Sequence, residues 1–280
     1  LGVNHASAPI QIREHLAIAD QTLPQALRSL TDLAPISEAA IISTCNRIEI
    51  YCSVDSTAQG EHVLTQWLSD FKQLAIEQLQ PYLYSYSDED VAKHLFRVGS
   101  GLDSMVLGEP QILGQLKQAY TKAADAETLG KDLNQLFQQC FNVAKKVRTH
   151  TAIGANPVSV ASTAVSLAKQ IFADLGEQRA LFIGAGETIE LAAQHMHANG
   201  TRDITIANRS LQKAQQLSKL YQGQAIELAD IHTALPNSDI VITATASQLP
   251  ILGKGLLEQS LKQRKHKPIL VLDLAIPRDV

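Results

Sequence analysis

Apolar and polar positions change period along the chain, and the changes mark out its elements. Ile41 and Ile42 begin a strand that breaks at the polar cluster Ser43-Thr44-Cys45-Asn46-Arg47. In the strand that follows, over 48–54, Ile48, Ile50, Cys52 and Val54 alternate, which predicts one buried and one solvated face. Val63, Leu64, Trp67, Leu68 and Phe71 recur at three- and four-residue steps and predict helix over 61–79. A second helix is expected over 88–102, capped by Ser87 or Asp88. The Gly-punctuated run GSGLDSMVLGEPQILGQLK turns helical from about Pro110. A long helix then covers 133–149, with Phe137, Cys140, Phe141, Ala144 and Val147 on one face.

The segment TAIGANPVSV interrupts that pattern before a helix over 159–175. Beyond Gly176, short apolar strands at 180–183, 204–207, 240–243 and 269–274 alternate with helical stretches, the signature of parallel β-α-β units. The fold class expected is therefore α/β. It comprises an α+β N-terminal domain over 1–142, a helical linker over 143–158, and a Rossmann-type, doubly wound parallel-sheet domain over 159–280. Gly154 and Pro157 suggest a hinge near Thr149–Pro157.

Composition narrows the class further. With 280 residues, 45% hydrophobic and 19% charged, the chain is long enough for two domains and is neither collagen-like nor largely disordered. A net charge of −4 excludes a generally basic nucleic-acid coat and leaves room for local basic surfaces. Three cysteines without a C-x-x-C pair exclude a disulfide framework and a zinc site, and fit a reduced cytoplasm. No His or carboxylate pair has metal-ligand spacing, so no metal is expected. No apolar run reaches membrane-spanning length and no signal pattern opens the chain. The start at Leu1 and the stop just after a strand suggest a natural chain extending beyond both.

Gly184-Ala185-Gly186, continuing as Glu187, Thr188 and Ile189, lies between a predicted strand and helix. There a backbone without side chains can approach a pyrophosphate. Ile189 replaces the third glycine of G-x-G-x-x-G, which weakens the match. After the next strand, Asn208-Arg209-Ser210 stands where NAD enzymes place an acidic residue. Arg209 suits a 2′-phosphate, so NADPH is favoured, against an incidental surface arginine. Small residues over 243–247 would let a nicotinamide lie close to the sheet edge.

Cys52 and Cys140 fall on apolar faces and read as core residues. Cys45 fits neither pattern and is either a nucleophile, activated by a cation such as Arg47, or an inert cysteine in a turn. His94 sits beside an apolar helix face, as a core residue or a proton-transfer group. His5 is a weaker candidate.

Seven segments together carry a resemblance: GVNHASAP (2–9), STCNRIEIY (43–51), GLDSMVLGEPQILGQLK (101–117), VAKKVRTHTAIG (143–154), GAGETIELAA (184–193), IANRS (206–210) and DLAIPRDV (273–280). Over essentially its whole length the chain resembles the glutamyl-tRNA reductases, which open the five-carbon route to tetrapyrroles (porphyrins and haem). The resemblance implies that the Cys45 thiolate attacks the ester of glutamyl-tRNA(Glu), and that NADPH reduces the resulting thioester to glutamate-1-semialdehyde. It places Thr44, Asn46 and Arg47 in the substrate loop, Arg47 gripping the glutamyl carboxylate. Ser104, Glu109, Pro110, Gln111 and Gln115 fall in the substrate-binding segment, Glu109 receiving the ammonium group. His94 becomes a proton donor or positioning group, and Gly184 to Ile189 the NADP loop. The family adds a C-terminal dimerisation domain, absent from this chain, forms a homodimer, and hands its aldehyde to glutamate-1-semialdehyde aminomutase. Its tRNA contact must be local: Lys145, Lys146 and Arg148, or Arg264 to Lys267, are candidate patches or merely solvated faces. Two rival readings are a small-molecule NADP-dependent dehydrogenase resembling shikimate dehydrogenase, and a nucleotide- or tRNA-sensing regulator without turnover.

Overall fold

The computed structural model describes residues 1–154 and 159–280, and the chain divides into two compact units, Leu1–Val158 and Ser159–Val280. Pro157, part of the expected hinge, lies outside the described residues.

The first unit is built on a three-stranded antiparallel sheet of β1 (Gly2–Asn4), β2 (Ile36–Ser43) and β3 (Arg47–Val54), in the order β1-β3-β2. Around it fold α1 (Ile10–Leu16), α2 (Leu23–Thr31), α3 (Thr57–Lys72), α4 (Ile76–Leu79), α5 (Glu89–Gly99), α6 (Gln111–Asp125) and α7 (Lys131–His150). β3 departs from its predicted half-solvated character. Ile48 and Ile50 are buried, and so are Glu49 and Tyr51 on the opposite face. The ring of Phe137 from α7 meets Tyr51 at 5.9 Å, and His94 of α5 and Tyr84 close over Glu49. A period of two separates two faces; it does not say that the second is covered. Cys52, expected in the core, is only partly buried at its edge.

The helix expected over 61–79 is two helices, broken at Gln73, whose φ of 52° is left-handed. The helix expected to reach residue 102 stops at Gly99, and Gly101 follows with φ 75°. Asp88, at its N-cap, makes no side-chain capping bond. Residues 143–150, the first part of the expected helical linker, are the last turns of α7. The start of α7 is capped from a distance: the buried Glu38 carboxylate on β2 accepts from the Asp132 and Leu133 amides at 3.0 and 2.8 Å.

The second unit holds α8 (Val160–Ile171), β4 (Arg179–Ile183), α9 (Glu187–Ala198), β5 (Asp203–Asn208), α10 (Leu211–Lys219) and β6 (Gln224–Glu227). It continues with α11 (Ile231–Ala234), β7 (Ile240–Thr243), α12 (Lys254–Gln263) and β8 (Leu270–Asp273). Its sheet is wholly parallel, in the order β6-β5-β4-β7-β8. Ala180 and Phe182 of β4 pack with α8, α9 and α10, whereas Leu181 and Ile183 pack on the other face with Ile231, Leu235 and Leu252. Both faces are buried, so the central strands read as continuous apolar runs, as in doubly wound folds. Among the described residues no helix is long and apolar enough to cross a membrane, and no cluster of three His, Cys, Asp or Glu is placed to hold a metal ion.

Candidate functional site

Cys45 sits at the tip of the β2–β3 hairpin. Thr44 shapes this loop: its hydroxyl oxygen accepts from the amides of Asn46 and Arg47, both at 3.2 Å, and its own amide donates to the Arg47 carbonyl at 2.9 Å. Thr44, Cys45 and Asn46 stay partly exposed while Arg47 turns inward. Among the three cysteines the contrast is clear. Cys140 is fully buried, its Sγ directed at the Leu95 carbonyl, and burial pushes both Cys140 and Cys52 up to about 12.

Arg47 is 1% exposed and already neutralised. Its Nη1 donates to Glu49 at 2.8 Å, and its Nη2 donates to the carbonyl and carboxylate of Asp103 at 2.5 and 3.1 Å. Sequence reasoning made Arg47 the activating cation for Cys45. Instead, burial first and the charge of Glu109 next push the thiol up to about 11, opposed by Arg13 and, more weakly, Arg47. The Cys45 carbonyl accepts from Nη1 of Arg13 at 2.5 Å.

Glu49 is the hub of the opposite face of β3. Its carboxylate accepts from Arg47, from Tyr84 at 2.5 Å, from Tyr51 at 2.6 Å and from His94 Nε2 at 2.8 Å. Burial works against its ionisation, yet the bond from His94 and the charge of Arg47 hold its carboxyl down to about 2. An ionised carboxylate only accepts, so His94 carries its proton on Nε2. His94 is buried and stacked on Tyr86 at 4.6 Å. Among the described residues no hydrogen bond joins it to Cys45; Glu49 links it to Arg47. His5 lies near Arg47, Asp103 and Arg13, and burial, then Arg47, lower its pKa. Among the described residues its buried Nδ1 has no hydrogen-bond partner.

The expected substrate segment is divided in exposure. Glu109 and Gln111 are buried, Ser104, Pro110 and Gln115 partly so, and Pro110 occupies the N-cap of α6. The Glu109 carbonyl accepts from Arg148 Nη2 at 2.8 Å. Arg148 therefore leaves the basic face it was expected to share with Lys145 and Lys146, which remain exposed. In the other expected patch Arg264 and Lys267 bind the buried Asp239 carboxylate, both at 2.9 Å, while Lys265, His266 and Lys267 stay exposed. Glu49, Asp103 and Arg13 escaped the sequence reading. Arg13 did leave a signal, a cation three residues before the buried Leu16 on the inward face of a short helix.

In the second unit, Gly184, Ala185 and Gly186 join β4 to α9. Gly184 has φ 114°, and a Cβ there would lie 2.5 Å from the Ala244 carbonyl oxygen. A Cβ on Gly186 would meet nothing within 4 Å, so that glycine faces open space. Ile189 is fully buried, with its Cγ1 against Gly184, so the third position of the loop belongs to the core. The first amides of α9, at Glu187 and Thr188, have no intrahelical acceptor, and no side chain caps the helix. Glu187 and Glu190 bring negative charge to this turn. Asn208 ends β5, with its Nδ2 donating to the Ser210 carbonyl at 3.1 Å, and Ser210 caps α10. Arg209 between them is exposed. The hydroxyls of Thr243 and Thr245 are occupied by the buried Asp279 carboxylate, Thr245 at 2.6 Å.

Comparison with known proteins brings both units together. The family model described as glutamyl-tRNAGlu reductase, N-terminal domain, matches residues 1–151, and that of shikimate / quinate 5-dehydrogenase matches residues 166–280. The glutamyl-tRNA reductase of Ectopseudomonas mendocina is 54% identical over 280 residues, covering 100% of this chain and 65% of that protein. The one of Marinomonas sp. is 50% identical, covering 100% of this chain and 66% of that protein. The solved glutamyl-tRNA reductase from Methanopyrus kandleri matches 100% of this chain and 66% of its own, with 31% identity and a TM-score of 0.51. The chain thus spans about two thirds of the length of the curated relatives it matches.

Proposed function

The chain belongs to the glutamyl-tRNA reductase family, and from that premise we propose that it holds the catalytic thiol and the nucleotide domain of an NADPH-dependent reductase. Its substrate is glutamyl-tRNA(Glu) and its product glutamate-1-semialdehyde, in the first step of tetrapyrrole synthesis. One observation carries this reading. Cys45 alone among the cysteines stands off the core, at a hairpin tip beside the charges of Arg13, Arg47 and Glu109.

The Cys45 sulfur, once deprotonated, attacks the ester carbonyl that joins glutamate to the terminal ribose. The C–S bond forms, the C–O bond breaks, and the tRNA departs with its hydroxyl proton restored, leaving a thioester. A thioester is less resonance-stabilised than an oxygen ester and so accepts hydride more readily. When bound, NADPH supplies that hydride. The Cys45 sulfur then leaves as thiolate and releases the aldehyde.

The second unit fits the cofactor. Gly186 leaves room for a pyrophosphate at the start of α9, where the amides of Glu187 and Thr188 would hold it. The acidic side chains of this turn oppose an anion, so the backbone carries that contact. Arg209 and Ser210 would take the 2′-phosphate, which favours NADPH over NADH. Within the first unit, the Arg47–Asp103 and Glu49–His94 pairs hold the substrate loop in shape, while Ser104, Glu109, Gln111 and Gln115 line the glutamyl site. The match of residues 166–280 to the shikimate dehydrogenases concerns the nucleotide unit and leaves Cys45 to the reductase family, so a small-molecule dehydrogenase is not favoured. The reading extends to a cytoplasmic homodimer that passes its reactive aldehyde to glutamate-1-semialdehyde aminomutase.

Acyl trapping tests it. The full-length natural protein, given tRNA charged with radiolabelled glutamate and no NADPH, is expected to retain acid-stable label, whereas Cys45→Ser retains none. Added NADPH discharges the label as aldehyde. Equal labelling of both proteins would remove Cys45 as the acyl carrier.

A further inference from the structure

Two guanidinium groups stand near Cys45, and they differ in what neutralises them. Arg47 is paired with Glu49 and Asp103. Arg13, 7% exposed, is held by neutral acceptors: its Nε donates to the Ala8 carbonyl at 3.2 Å and its Nη1 to the Cys45 carbonyl at 2.5 Å. Among the described residues no ion pair between Arg13 and a carboxylate is formed; burial opposes its charge, and the charges of Cys45 and Glu14 favour it. A buried cation held by carbonyls alone lacks a counter-ion, an arrangement that costs free energy unless an anion arrives. The ionisable group on the residue it grips is the Cys45 thiol.

We propose that Arg13 is the positioning residue of the nucleophile: it clamps the hairpin tip through the Cys45 carbonyl and supplies the counter-charge when the thiol ionises. This rests on the reading of Cys45 as acyl carrier. The groups facing the thiol are Arg13 from α1, Glu109 from the segment before α6, and Arg47 from β3, with His5 and Asp103 behind Arg47. Burial and Glu109 oppose ionisation, Arg47 is largely spent on its own carboxylates, and Arg13 is the main opposing charge. The sulfur cycles between thiol, thiolate and thioester, so a cation clamped to its backbone favours the anion both before acylation and when the aldehyde leaves.

The test is the pH dependence of iodoacetamide alkylation, read by mass spectrometry on the Cys45 peptide of the full-length natural protein. Arg13→Gln keeps an amide donor for the carbonyl and removes the charge. It is expected to raise the alkylation midpoint by about one pH unit, which lowers the rate on the rising limb about tenfold. Arg13→Lys keeps the charge and breaks the two-carbonyl clamp, and is expected to stay near the wild-type midpoint. An Arg13→Gln profile superimposable on wild type overturns the proposal. So does an Arg13→Lys profile displaced upward by a full unit, and this variant decides the matter alone if Arg13→Gln does not fold. A higher KM with an unmoved midpoint would instead assign Arg13 to a carboxylate of the substrate. If acyl label is trapped without Cys45, the underlying reading has failed. If trapping needs Cys45 while the midpoint ignores Arg13, only the Arg13 assignment has failed.

Discussion

Glu49 shows how a single residue ties the first unit together. Four donors converge on its buried carboxylate, and one of them, Arg47, carries the chain from the hairpin tip into β3. Its carboxyl, at about 2, lies below the 4.5 of an unperturbed glutamate. The stability it contributes is therefore fully present above about pH 4.5 and is lost as pH falls through about 2, a difference on the order of 3 kcal/mol. Glu49→Gln is expected to lose about that much at neutral pH, since Arg47 and His94 keep their burial without their main acceptor. Urea titrations of both proteins across the acid range check this. The wild type should weaken between those two pH values while the variant stays flatter, and parallel acid limbs would refute the assignment. None of this was legible from residue types, because alternation put Glu49 on a solvated face. That Cys45 lies off the core was legible for the opposite reason: it broke the alternation and stood among polar neighbours.

Elements buried on both faces, or carrying a strong apolar stripe, were the readable ones. β4, β5 and β7 emerged from short apolar runs, and α7 from the apolar face of its helical spacing. β6 is a short edge strand, Gln-Ala-Ile-Glu, and α12 buries only Ser260, so neither has a pattern that rises above its surroundings. The break at Gln73 was invisible because no glycine or proline announces it. The β4–α9 turn separates folding from binding within one element pair. Gly184→Ala forces a Cβ onto the Ala244 carbonyl at a positive φ and is expected to destabilise the second unit by about 2 kcal/mol or more. Gly186→Ala meets no protein atom, so its stability should change by less than about 0.5 kcal/mol. If the pyrophosphate lies where the open side of this turn implies, Gly186→Ala nevertheless weakens NADPH binding about tenfold or more. Thermal melts and calorimetric NADPH titrations read the two effects separately. Unchanged binding by Gly186→Ala would move the cofactor away from this loop.

At the scale of the whole chain, the proposed division of labour follows the division of cores. One apolar cluster lies entirely within the first unit, from Val3 to Cys140; the two others, which sandwich the parallel sheet, lie entirely within the second. The change from mixed elements to regular strand–helix alternation beyond Gly176 pointed to a separate second unit, because each β-α-β unit repeats the same pattern. A parallel sheet needs both faces covered, and α8, α9 and α10 on one side with α11 and α12 on the other do this within the second unit. At about 120 residues, residues 159–280 are large enough for an independent domain. Their turns at 184–189 and 208–210 contain the groups proposed to hold the pyrophosphate and the 2′-phosphate of NADPH. Expressed alone, this unit is expected to unfold in one cooperative transition and to bind NADPH with a Kd within about tenfold of the full chain. It should take up no glutamate from charged tRNA, because Cys45 and Arg13 remain behind. Circular dichroism melts and calorimetry on the isolated unit check each part. A folded unit that ignores NADPH would mean that the cofactor draws on residues 1–158, and the separation of thiol chemistry from hydride supply would have to be abandoned.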